Sequence, residues 1–226
     1  MIPAPEYRHI DAILNKEWFD VGRHSAPGIP TDRSVVGFIF FDQSVTRQPV
    51  ADFLDNINLI NEHSGNIIHF FLPGVSLYSS NEGDHAVPLG QIHGTNAFHN
   101  SKAFMSFKRE FEREIPQWKY DFGVDLVLVD VVLRGGRRVL DFDSAIFFKV
   151  EEFIRLKIVD RTTELLGKII KFRRDAKLVT AKDARLLLQE QFGINWFKVL
   201  VLALFPKAIR DLARAQAVLG GGSALR

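Results

Sequence analysis

Short apolar runs, broken by polar stretches rich in glycine and proline, set the rhythm of this chain. Ile10, Ile13, Leu14 and Trp18 recur at helical spacing and predict a first helix over 8–18. Gly22, Pro27, Gly28 and Pro30 mark a loop after it. Residues 35–41 (VVGFIFF) are continuously apolar, β-branched and aromatic, the pattern of a strand covered on both faces. Pro49 suits the first turn of a helix, where its missing N–H costs nothing. Val50, Phe53, Leu54, Ile57 and Ile60 give that helix one apolar face, and Ser64-Gly65 ends it. Residues 66–72 (NIIHFFL) read as a second covered strand, stopped by Pro73-Gly74. Strand, helix and strand in this order predict a parallel pair joined by a right-handed crossover.

Residues 76–98 are polar, with Gly83, Pro88, Gly90 and Gly94, and read as one long irregular loop of the functional or mobile kind. Asn100 or Ser101 can cap the next helix, whose buried stripe is Phe104, Phe107, Phe111 and Ile115 and whose stop is Pro116. Runs at 124–133 and 138–148 flank Gly135-Gly136, a hairpin signal. A single long helix is expected next, with Val150, Ile154, Ile158, Leu165 and Ile169 inside and Lys168, Lys171, Arg173 and Arg174 towards its end. Thr180 and Asp183 have capping-box spacing, Gly193 breaks the helix that follows, and Pro206 kinks or divides a last helical stretch over 196–218. We therefore expect an N-terminal helix and loop over 1–34, an α/β domain over 35–178, and a basic helical extension with a flexible tail over 179–226.

The order from 35 to 174 is β-α-β-α-β-β-α. It is similar to the thioredoxin fold, which has a parallel pair, then an antiparallel hairpin, with helices on both faces. The resemblance is one of topology. Where thioredoxins carry paired cysteines, residues 42–49 here read DQSVTRQP. Thioredoxins place a proline immediately before their third strand, whereas the nearest one here, Pro116, lies well upstream of Val124. Redox chemistry of that kind is excluded.

Composition sharpens the picture at three points. Twenty Phe among 226 residues imply a core built from large aromatic side chains. The absence of Cys excludes disulfides, thiolate catalysis and Cys-based zinc or iron–sulfur sites. Residues 1–150 carry 14 basic and 19 acidic side chains and residues 151–226 carry 15 and 8, so the helical end is the basic one. That end can meet an acidic partner, although the net charge of +2 does not favour a nucleic-acid binder. Pro3, Pro5 and charges stand where a signal peptide needs an apolar stretch, and no run approaches the ~20 residues of a membrane span, so a cytoplasmic location is expected.

Candidate chemistry falls into four groups. Five of the seven histidines lie between 63 and 99; Asp84, His85, His93 and His99 are the candidate metal ligands, though their spacing matches no metal box. His69 lies within a strand and is expected to serve the core. Asp141 and Asp143 alternate along one strand and Asp130 lies on its partner, so three carboxylates can hold magnesium as in many nucleases. The acidic-x-Lys triplet of restriction-type nucleases is missing, and Lys149 is too far along to supply it. Asp130, Asp141, Asp143 and His99 are the candidate catalytic residues. Arg134, Arg137 and Arg138 crowd the hairpin turn and are the candidates for phosphate or nucleic-acid contact.

Glycine-rich phosphate loops, dinucleotide fingerprints and nucleophile elbows are absent. The expectation is a non-catalytic intracellular accessory or protein-interaction module with no cofactor. It would use Trp196, Phe197, Phe205, Ile209 and Leu212 of the last helices against a protein partner or a second copy. The competing expectation is a metal-dependent hydrolase or nuclease built on the loop histidines or the hairpin aspartates.

Overall fold

The computed structural model describes residues 1–15, 33–42, 47–65, 67–77, 86–92 and 94–192. Its centre is a mixed five-stranded sheet of β1 (Ile2–Ala4), β2 (Arg33–Phe41), β3 (His69–Pro73), β7 (Val124–Arg134) and β8 (Arg137–Lys149). The strand order is β1-β3-β2-β7-β8. β1 and β2 both run parallel to β3, β7 runs antiparallel to β2, and β8 antiparallel to β7. The expected four strands thus share one sheet with the expected directions. The fifth, β1, is too short to show a period, and its Pro3 is tolerated because β1 is an edge strand. Gly135 and Gly136 take φ of 59° and 79°, the two left-handed positions of a two-residue hairpin turn.

The described residues form seven α-helices. On one face of the sheet, Ile10, Ile13 and Leu14 of α1 (His9–Leu14) and Phe104, Phe107 and Phe111 of α4 (Ser101–Glu114) cover Val36, Phe38 and Phe40 of β2. The aromatic rings meet at offset and tilted angles, Phe38 to Phe111 at 4.7 Å and Phe40 to Trp118 at 4.5 Å. Phe41 instead meets Phe53 of α2 (Gln48–Asp55) at 5.0 Å. Asn100 caps α4 by accepting from the Ala103 N–H at 2.9 Å.

Three expectations need correction. The apolar face over 50–60 belongs to two helices, α2 and α3 (Ile57–Ser64), parted at Asn56, whose amide donates to the Asp52 carbonyl at 2.8 Å. The single helix from 150 is likewise two, α5 (Val150–Arg155) and α6 (Thr162–Arg174). Lys157 takes φ of 55° and closes α5, with Lys157 N–H donating to Ile154 and Ile158 N–H to Phe153. Apolar periodicity carried across both breaks because the packed face continues after the helix has ended. Thirdly, the long loop contains a second sheet, β4 (Val75–Ser76), β5 (Ala86–Ile92) and β6 (Thr95–Asn100), antiparallel in the order β4-β6-β5. Its register shifts between Pro88 and Gly90 and its buried side chains are few, so no alternation shows in the sequence.

Thr180 and Asp183 do form a capping arrangement: Asp183 Oδ2 accepts from the Thr180 N–H at 2.7 Å, ahead of α7 (Ala184–Phe192). The chain divides into compact units at 1–184 and 185–226. No described helix is long and apolar enough to cross a membrane.

Candidate functional site

The hairpin carboxylates are placed by β7 and β8. Asp130 and Asp141 are cross-strand partners, in the register that the two-residue turn sets. The register then shifts between Leu128 and Asp130, because β8 carries extra residues there, and Asp143 is exposed within that irregularity. The shared face of Asp141 and Asp143 is therefore interrupted. Asp130 is buried, and its Oδ1 accepts from the Ala181 N–H at 2.6 Å, tying the turn before α7 to the sheet. Burial raises the Asp130 pKa and the Ala181 N–H opposes the rise. Asp141 accepts from Arg134 at 3.0 Å.

The other turn arginines are engaged by α1. Arg137 meets the Asp11 carboxylate at 2.6 Å. The Arg138 backbone exchanges two hydrogen bonds with the Asn15 side chain, at 2.8 and 3.0 Å. The amide of Asn15 covers an edge of β8 that would otherwise be open to strand pairing. The hairpin tip is docked rather than projecting.

Among the histidines, His63 lies in the last turn of α3 and His69 opens β3. His99 is fully buried in β6, with Val75 and Val87 as its neighbours on β4 and β5. Its ring lies between Phe41 at 5.4 Å and Phe104 at 5.3 Å. Neither ring nitrogen has a hydrogen-bond partner among the described residues. Burial lowers the His99 pKa, and buried Asp42, at the carboxyl end of β2, opposes the shift. Asp84, His85 and His93 lie outside the described residues, as do Trp196, Phe197, Phe205, Ile209 and Leu212. Among the described residues no three His, Asp or Glu side chains form a group able to hold a metal ion.

A strongly perturbed carboxyl is one the sequence reading passed over. Asp125 is buried near the start of β7 and receives the Trp118 indole N–H at 2.9 Å. Its cross-strand partner is Lys149, whose ammonium lies 3.4 Å away and also reaches Asp121 at 2.9 Å and the Lys119 carbonyl at 2.7 Å. All three ammonium protons thus have acceptors. Burial pushes the Asp125 carboxyl up to about 7, against the pull of Lys149. Tyr120, raised first by burial and then by Asp125, donates to the Gly123 carbonyl at 2.7 Å. These bonds bind the 118–123 segment to the sheet. The available signal was a carboxylate second in a largely apolar strand, and Lys149 lies opposite Asp125, at the hairpin end remote from Asp141.

A surface cleft of about 310 Å³ adjoins this end, lined by Arg47, Pro49, Glu151, Glu152, Ile154 and Arg155. Its charges pair internally, Arg47 with Glu151 and Arg155 with Glu152, each at 2.6 Å.

No protein family, no curated protein and no solved structure matches the chain.

Proposed function

We propose that this chain is a non-catalytic intracellular accessory or protein-interaction module, acting in the cytoplasm through its basic C-terminal helical residues. One observation carries the reading: Asp130, Asp141, Arg134 and Arg137, among the hairpin groups suited to chemistry, are engaged in holding elements together. Asp130 ties β7 to the backbone at Ala181, Asp141 pairs with Arg134, and Arg137 pairs with Asp11 of α1. Recruiting any of them to a metal or a phosphate means breaking a bond that joins two parts of the fold. A thioredoxin-like description belongs to the same proposal and draws support from the β1-β3-β2-β7-β8 order, parallel over its first three strands. So do the boundaries 1–34, 35–178 and 179–226.

The competing reading is a metal-dependent hydrolase or nuclease. Metal analysis of the purified chain and incubation with DNA and RNA in magnesium and in zinc separate the two. We expect no retained ion and no cleavage. About one ion per chain, lost when His93 and His99 become Ala, overturns the proposal in favour of the hydrolase.

A further inference from the structure

A buried imidazole with both nitrogens unpartnered needs an explanation, because buried polar groups are otherwise hydrogen-bonded in most proteins. His99 is such a group, on the middle strand of the small sheet. Its ring fills the space between Phe41 of β2 and Phe104 of α4 and so joins β6 to the body of the molecule. A neutral imidazole serves there as an aromatic filler. An imidazolium in the same place is a charge inserted between two phenyl rings, with two N–H donors and no hydrogen-bond acceptor for either among the described residues.

We propose that His99 is a proton-operated latch, holding the β4-β6-β5 sheet on the main sheet when neutral and releasing it when protonated.

The surroundings of the ring favour release over repair. β4 and β5 present Val75 and Val87 as its strand partners, and α4 presents Phe104. The loop before β7 contributes Tyr120, which packs on Phe104 at 5.4 Å and whose hydroxyl is committed to Gly123. Among the described residues the charged side chain acting on His99 is Asp42 at the end of β2, which favours the protonated ring; burial outweighs it. The small sheet is also lightly attached: β4 has two residues, and β5 is a largely exposed edge strand whose register is interrupted. Its buried side chains are Val75, Ile92, Ala97 and His99 itself. Local opening of a unit with so few buried contacts costs much less than global unfolding.

Linkage sets the size of the effect. In the released sheet His99 regains an ordinary pKa of about 6.5, whereas in the closed sheet it is lower, so one proton is taken up on opening. Below about pH 6.5 the opening equilibrium therefore grows by up to about tenfold per pH unit, until the closed ring also titrates.

Hydrogen exchange on the full chain, corrected for intrinsic rates, tests this between pH 7.5 and 5. Opening of residues 86–100 should rise as pH falls below about 6.5, by up to that factor per unit, while β2 and β7 stay protected. Unchanged protection of 86–100, or loss only together with the main sheet, overturns the proposal. His99→Phe keeps an aromatic filler and should abolish the slope; a slope that survives it also overturns the latch. Should that variant not fold, the wild-type ring is followed by NMR. A His99 resonance that titrates near pH 6.5 with 86–100 still protected rules the latch out, and a ring that stays neutral until 86–100 opens supports it.

Discussion

Asp125 and Lys149 face each other across β7 and β8 at the end of the hairpin remote from its turn, with 3.4 Å between ammonium and carboxylate. Both are buried, so removing one partner leaves the other's polar group without its match. Lys149→Met should destabilise the chain by about 3–5 kcal/mol, and the double change Asp125→Leu, Lys149→Met by less than the two single changes added. Urea denaturation of the four proteins completes the cycle; additive losses would show that the pair does not couple.

The same pair gives a pH dependence with a definite sign. Burial raises the Asp125 pKa from 3.8 to about 7, so the folded chain holds a proton that the unfolded chain has released. Its contribution is fully present below about pH 4 and is lost as pH rises towards 7. Asp125→Asn should remove that decline. Denaturation midpoints at pH 5 and pH 7 check it, and an unchanged difference between them in the variant would assign the decline to other groups.

Two helices close on residues that are not glycine in the left-handed region. Lys157 after α5 has φ of 55° and Ala176 after α6 has φ of 57°. Each donates back into the helix it ends, to Ile154 and Arg173 respectively. Replacing either by Gly should stabilise the chain by about 1 kcal/mol, since the cost of an L side chain there is removed. Thermal unfolding of each variant reads this as a higher midpoint.

Gly74 presents the opposite case. It has φ of +74°, and a Cβ placed on it would lie 2.6–2.9 Å from the Cβ, Cα and N of Phe104. The adjoining backbone bonds, Gly74 N–H to Ala4 and Asn100 N–H to Gly74, leave it little room to shift. Gly74→Ala should cost about 1–3 kcal/mol or more, measured by denaturant unfolding.

The interaction proposal has its own hydrodynamic test, in residues outside those described. Sedimentation should show a particle larger than the 25.7 kDa chain, and Phe205→Asp should return it to that mass. A wild-type monomer at all accessible concentrations would remove self-association and leave only a different protein as partner.

Regular local pattern made much of the fold legible. Residues 35–41 and 124–133 are apolar at every or nearly every position, which is what coverage on both faces demands, and Gly135-Gly136 admits the two left-handed positions of a tight hairpin. The Phe104, Phe107 and Phe111 stripe is buried as its spacing predicts. Asn100, Ser64-Gly65 and Thr180-Asp183 mark helix ends through local bonds that adjacent residues make by themselves.

What escaped the sequence depends on partners distant along the chain. The Asn15 amide reaches the Arg138 backbone across 123 positions, and Asp130 reaches Ala181 across 51. No period records such bonds, because each is a single contact made once two elements have packed. The irregularity in β8 that exposes Asp143 follows from the pairing with β7, not from the Asp-Phe-Asp triplet. His99, read as a loop residue ahead of a helix, is instead buried on the middle strand of a small sheet whose shifted register and few buried side chains leave no alternation in the sequence. Apolar spacing reports which residues leave water; which polar group meets which is decided only when the layers close.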